Sequence, residues 1–147
     1  MAPLITLLTA TVCARLLGLL GIDYVDTWPR SAAVGLAAMF LLTGLSRLSR
    51  ERREGLIAIV PPALPRPGAL VAITGVLEAV GGIAVLVPAS RVAAAVCLGI
   101  LLIAMFPANV RAAGERRSPT SPNTPLGRRA AMQIVFLVAV VVVAVGA

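Results

Sequence analysis

An all-α membrane protein, an antiparallel bundle of five transmembrane helices, is the fold class this sequence predicts. Three observations predict it. The 147 residues are 59% hydrophobic and only 13% charged, against about 45–50% and about 25% in a soluble domain, with a mean hydropathy of +1.00. The apolar residues gather into five runs, each near the ~20 residues a helix needs to cross ~30 Å of hydrocarbon. The charges fall almost entirely between those runs.

The first run, 3–22, could pass for a signal peptide. Against that, "MAPL" has no basic start, no small-residue cleavage site follows, and Arg15 interrupts the apolar stretch. "TATVC" is a poor lipoprotein box because Val12 precedes Cys13. A retained helix is the expectation. The second run, 29–48, is shortest in its apolar middle and leans on its flanks. The third, 68–87, carries Glu78 as its only charge, and the fourth, 92–110, ends in "FPANVR", where Pro107 should distort the final turn and present Asn109. The fifth, 130–147, is rich in β-branched residues. In lipid an open strand would leave backbone groups unpaired, so helix is expected there too.

Two loops carry most of the charge. The loop 49–67, with the preceding Arg47, holds Arg50, Arg52, Arg53 and Arg66, and the loop 111–129 holds Arg111, Arg116, Arg117, Arg128 and Arg129. With five spans these loops share one side, and the opposite side has only Arg30 and Arg91. The positive-inside rule then places the N-terminus and both loops in the cytoplasm and the C-terminus outside, in a bacterial plasma membrane. Tyr24 and Trp28 would anchor the outer interface. "ERREGLIAIVPPALPRPG" reads as an interfacial helical turn stopped by Pro61 and Pro62, its arginines lying on anionic headgroups. "AAGERRSPTSPNTPLG" reads as a mobile polar link.

All 13 basic residues are arginine, there is no histidine, and the net charge is +7. Aromatics are only 3%, so the stacking platforms of a nucleic-acid binder are missing. Cys13 and Cys97 lie inside apolar runs without metal-ligand spacing, and read as small packing residues. No nucleotide loop or catalytic serine motif occurs, and no metal site or cofactor is evident.

The polar residues inside the runs are the candidate site. Thr74, Glu78, Gly81 and Gly82 share one helix face, which should look into the bundle. By helical rise, Arg15 and Glu78 both lie about 15–17 Å from the inner surface. An Arg15–Glu78 ion pair is the leading expectation, with a protonated Glu78 or an Arg15 snorkelling outward as alternatives. Thr43, Ser46, Arg47, Asn109, Arg129 and Gln133 mark the cytoplasmic ends of their helices. They are either ordinary anchors or a polar vestibule leading to Glu78, able to take a small headgroup or a quinone-like ligand.

"TGVLEAVGGIAVLVP", "AMFPANVRAA" and "AAMFLLTGLSRL…IVPPALPRPG" resemble the DoxX-like membrane proteins, in particular an actinobacterial branch. The similarity runs from about Gly21 to Asn109, with "RAAMQ" echoing an Arg-x-x-x-Gln feature. It implies a four-helix core to which the first helix is an addition, and association with membrane redox systems and quinone chemistry. The His-Phe usual at the end of the second helix is here Arg47 and Leu48, which removes imidazole-dependent roles. The implied function is an accessory subunit that docks a membrane or cytoplasmic redox protein and holds a quinone or lipid. The alternative is a small transporter or proton-coupled carrier using Glu78. The candidate cluster is Arg15, Ser46, Arg47, Thr74, Glu78, Asn109 and Gln133.

Overall fold

The computed structural model describes residues 1–114, 117–122 and 124–146. Arg116, one of the arginines of the second charged loop, and Ala147, the expected end of the last span, lie outside the described residues. Among the described residues the chain is all-helical: α1 (Ala2–Leu19), a 3-10 turn (Asp23–Val25), α2 (Trp28–Ser46), α3 (Arg50–Ile59), α4 (Pro67–Ala84), α5 (Arg91–Gly114) and α6 (Leu126–Val145). All but the 3-10 turn and α3 are long and apolar enough to cross a membrane. The protein is a multi-pass membrane protein.

Local chemistry sets the boundaries. Pro3, Pro29 and Pro67 sit in the first turns of α1, α2 and α4, where a missing N–H costs nothing. Helix α3 stops at Ile59, with Val60 extended before Pro61, as proline requires of its predecessor. Helix α4 ends three residues short of the expected Val87, because Ser90 and Arg91 turn back to cap its last carbonyls. Helix α5 instead overruns expectation, continuing through Pro107 to Gly114. Pro107 forgoes one backbone bond without stopping the helix.

Four helices close a ring in which α2 packs on α4 and α6, and α5 packs on α4 and α6, while α1 lies outside against α2. The core is made by Leu36, Met39, Phe40, Val85, Leu98 and Val143, with Leu7 reaching in from α1. Small residues bring the helices close. A Cβ on Gly35 would strike Leu7 and Thr11 of α1, and one on Gly44 would lie 2.7 Å from the Gly75 carbonyl of α4. Such contacts drive helix association where lipid removes the hydrophobic incentive.

Two expectations change here. Cys13 and Cys97 are free and exposed on outer helix faces, so they fill no core. Residues 118–121 of the proline-rich link also pack: Ser121 is buried and hydrogen-bonded to Ser118, and Gly55 of α3 leaves no room for a Cβ beside the Thr120 carbonyl. A glycine on α3 lets that loop seat where composition alone suggested mobility.

The end opposite the arginine-rich loops has its own lock. Arg91, 5% exposed, donates from Nε to the Val85 carbonyl at 3.2 Å and from Nη2 to the Leu86 carbonyl at 3.3 Å. Its guanidinium also stands over the Tyr24 ring at 5.7 Å, and the Tyr24 hydroxyl donates to the Leu86 carbonyl. One arginine thereby caps α4 and ties it to the turn before α2.

Candidate ligand-binding cavity

The close approach of Gly44 to Gly75 determines what happens to the charges beside it. Arg47 lies three residues beyond Gly44 on α2, and Glu78 three beyond Gly75 on α4. Because the helices run antiparallel, these offsets separate the two by about 9 Å along the axis, at 1.5 Å per residue. Helical Cα–Cβ bonds tilt toward the N-terminus, which sends Arg47 back into the bundle. Its chain lies on the bare surface of Gly75, where a Cβ would come within 2.7 Å of the Arg47 Cδ.

The guanidinium then meets Glu78 as a fork. Nη2 donates to Oε1 at 2.6 Å and Nε to Oε2 at 3.2 Å. Nη1 donates to the Thr74 hydroxyl at 2.9 Å, and Nη2 also approaches the Met105 sulfur at 3.5 Å. Thr74 passes its own proton to the Leu70 carbonyl at 2.8 Å. With Glu78 only 3% exposed, a bidentate partner is what makes its charge tolerable.

The expected Arg15–Glu78 pair is therefore corrected. Arg15 stands 5.7 Å over the Trp28 ring at the start of α2, on the helix outside the ring. The matched depths were a poor guide because α1 does not border Glu78, whereas Arg47 does. Gly44-x-x-Arg47 set against Gly75-x-x-Glu78 was the available signal: equal offsets from two glycines on neighbouring antiparallel helices.

The pair forms part of the wall of a cavity of about 530 Å³ at the arginine-rich end of the bundle. Ser46, Arg47, Thr74, Glu78, Asn109 and Gln133 all line it, so six of the seven candidate residues come together and Arg15 alone stands apart. Sequence reasoning missed the sulfur of Met105 and the role of α3, whose Leu56 and Ile59, with Val60 and Leu64 after them, cover the cavity. Most of the wall is apolar. It runs between Leu70, Val71 and Thr74 of α4 and Leu101, Ala104 and Ala108 of α5. Nearer the other end Gly81 packs on Leu98 and the two helices meet.

Two amides on the wall are fixed by the protein's own hydrogen bonds. Gln133 donates from Nε2 to the Leu102 carbonyl at 2.8 Å. Asn109 accepts at Oδ1 from Arg129 Nη1 at 3.2 Å, while Arg129 Nε donates to the Thr124 carbonyl at 2.9 Å. No cluster of His, Cys, Asp or Glu able to hold a metal occurs among the described residues.

With that geometry in view, the profile of one sequence family, described as Domain of unknown function (DUF8561), matches residues 30–145. The chain belongs to that family. The DUF8561 region takes in α2 to α6, and hence the fork and both wall amides, but leaves out α1. No curated protein and no solved structure matches the chain.

Proposed function

We propose that the protein is a non-enzymatic accessory subunit of a bacterial plasma membrane, DoxX-like as its sequence resembles. In this reading it holds a quinone or lipid in the cavity beside Arg47 and Glu78. It docks a redox partner through its arginine-rich end, which faces the cytoplasm. One observation carries the reading: a mostly apolar cavity with its few polar groups gathered on the walls, the pattern of a small-molecule site. The volume lies within the ~300–1,000 Å³ usual for such sites. Support for the docking surface is the exposed charge of α3, including Arg50, Arg52 and Arg53. The loop arginines support the orientation.

Purification in a mild detergent, followed by extraction and mass spectrometry, tests this directly. A bound quinone or lipid at near-stoichiometric yield, with a co-purifying redox protein, is expected. An empty cavity and no partner would refute it. The carrier reading draws on the position of Glu78 at the cavity wall and predicts flux by the isolated protein in liposomes, abolished in Glu78→Gln. Both carboxylate oxygens are held by Arg47, which favours a binding role over a proton-loading one.

A further inference from the structure

The two wall amides say what kind of head the cavity takes. With Nε2 of Gln133 committed to Leu102, its Oε1 has no partner among the described residues. With Oδ1 of Asn109 committed to Arg129, its Nδ2 likewise has none. Neither atom is sealed away from solvent-sized contact, since among the described residues only Arg111 Nε is both fully buried and unpartnered. Two residues of the wall thus carry a neutral donor on α5 and a neutral acceptor on α6 that no described group takes up.

Charge narrows the choice further. Arg47 and Glu78 cancel in their fork. Arg129 is engaged by Asn109 and Thr124 and is not itself among the wall residues, whereas Asn109, whose Nδ2 is uncharged, is. An anionic head would find no uncommitted cation on the wall, since Arg47 is held by Glu78 and Thr74, and burying an unpaired anion is costly. The cavity has an exposed apolar rim: Ala104 and Pro107 of α5 and Leu64 of the link between α3 and α4 line it and are exposed.

We propose that the cavity takes a neutral amphiphile from the bilayer, whose head carries an oxygen acceptor for Asn109 and a hydroxyl donor for Gln133. This rests on the reading that the cavity holds a ligand. A quinol and a neutral glyceride share this head chemistry, while the quinone offers the acceptor alone.

The test uses the full chain in zwitterionic nanodiscs and native mass spectrometry. The probes are a decyl-tailed benzoquinone, its quinol, dioctanoylglycerol and dioctanoyl phosphatidylglycerol. At least one neutral hydroxyl-bearing probe should bind saturably and at least tenfold tighter than phosphatidylglycerol, and the one that does names the source. Asn109→Asp keeps the acceptor for Arg129 but replaces the free donor with an oxygen, so it should weaken that probe about tenfold with the melting midpoint retained. Gln133→Leu should weaken the quinol or glyceride in the same way. Ala108→Phe, or Ala104→Phe should the first lower the midpoint, should abolish binding of every probe. Phosphatidylglycerol binding as tightly as the neutral probes, or Asn109→Asp without effect, overturns the head assignment while leaving the cavity reading intact. Binding of no probe, or binding that the phenylalanine variants do not touch, overturns both.

Discussion

Glu78 is tolerated in an apolar helix because Arg47 reaches it, and Arg47 reaches it because Gly75 has no side chain. Removing one member of such a pair leaves the other buried and alone, at a cost of about 3–5 kcal/mol. Arg47→Met and Glu78→Leu should each lose about that much in detergent unfolding, and the double variant should recover most of it. Arg15→Leu should instead add independently to Glu78→Leu, since Arg15 lies over Trp28. A non-additive Arg15–Glu78 cycle would restore the discarded pair. Gly75→Val should displace Arg47 without altering either charge, losing the same about 3–5 kcal/mol as the broken pair with about 1–3 kcal/mol of overpacking added, and Arg47→Met should then cost little more. Membership of the site was legible here: a shared polar helix face marked Thr74 and Glu78, and helix-end position grouped Ser46, Arg47, Asn109 and Gln133. Pairing was not, because it depends on which helices are neighbours, and depth along the chain does not say.

At the scale of the element, α3 and the α4–α5 turn are the two places where composition and position interact. Helix α3 puts Ile59 against the cavity, 4% exposed, and leaves Arg50 in solvent. Ile59→Ala should therefore lower the melting midpoint by the equivalent of about 2–5 kcal/mol. The salt bridge of Arg50 with Glu54, i to i+4 and exposed, should show little effect when Glu54 is changed to Gln, since such pairs contribute about 0.3–0.5 kcal/mol. Differential scanning fluorimetry in one detergent reads both. The short helix itself was foreseeable from "ERREGLIAI" and the prolines after it. The seating of 118–121 on it was not, since that depends on Gly55 leaving space for a backbone from a distant part of the chain.

For the molecule as a whole, α2, α4, α5 and α6 form the ring around the cavity, α3 and Pro3 of α1 add to its lining, and the rest of α1 is attached from outside. A chain beginning at residue 22 should still insert and keep its ion pair, because neither the fork nor the wall amides draw on α1. It should be less stable, because Leu7 is part of the core and Thr11 packs at Gly35. Accessibility of single cysteines placed in the 49–67 loop, in the full and shortened chains, should report the same side of the membrane for both. Span number and fold class were readable from hydropathy because lipid enforces them. The cavity was not, since it depends on how Leu70, Val71 and Thr74 of α4 stand from Leu101, Ala104 and Ala108 of α5 once the helices pack.

The Arg91 cap bears on how such a chain can be assembled. Arg91 is a permanently charged side chain at the start of a span, and three of its neighbours solvate it through four contacts: the Val85 and Leu86 carbonyls and, from another hairpin, Tyr24 through both hydroxyl and ring face. The α4–α5 hairpin thus carries most of the solvation for its own cation, and Tyr24 supplies the remainder only once the α1–α2 hairpin is alongside. The two hairpins are thereby joined where the tyrosine closes over the arginine, and Tyr24→Leu should weaken their association more than the insertion of either.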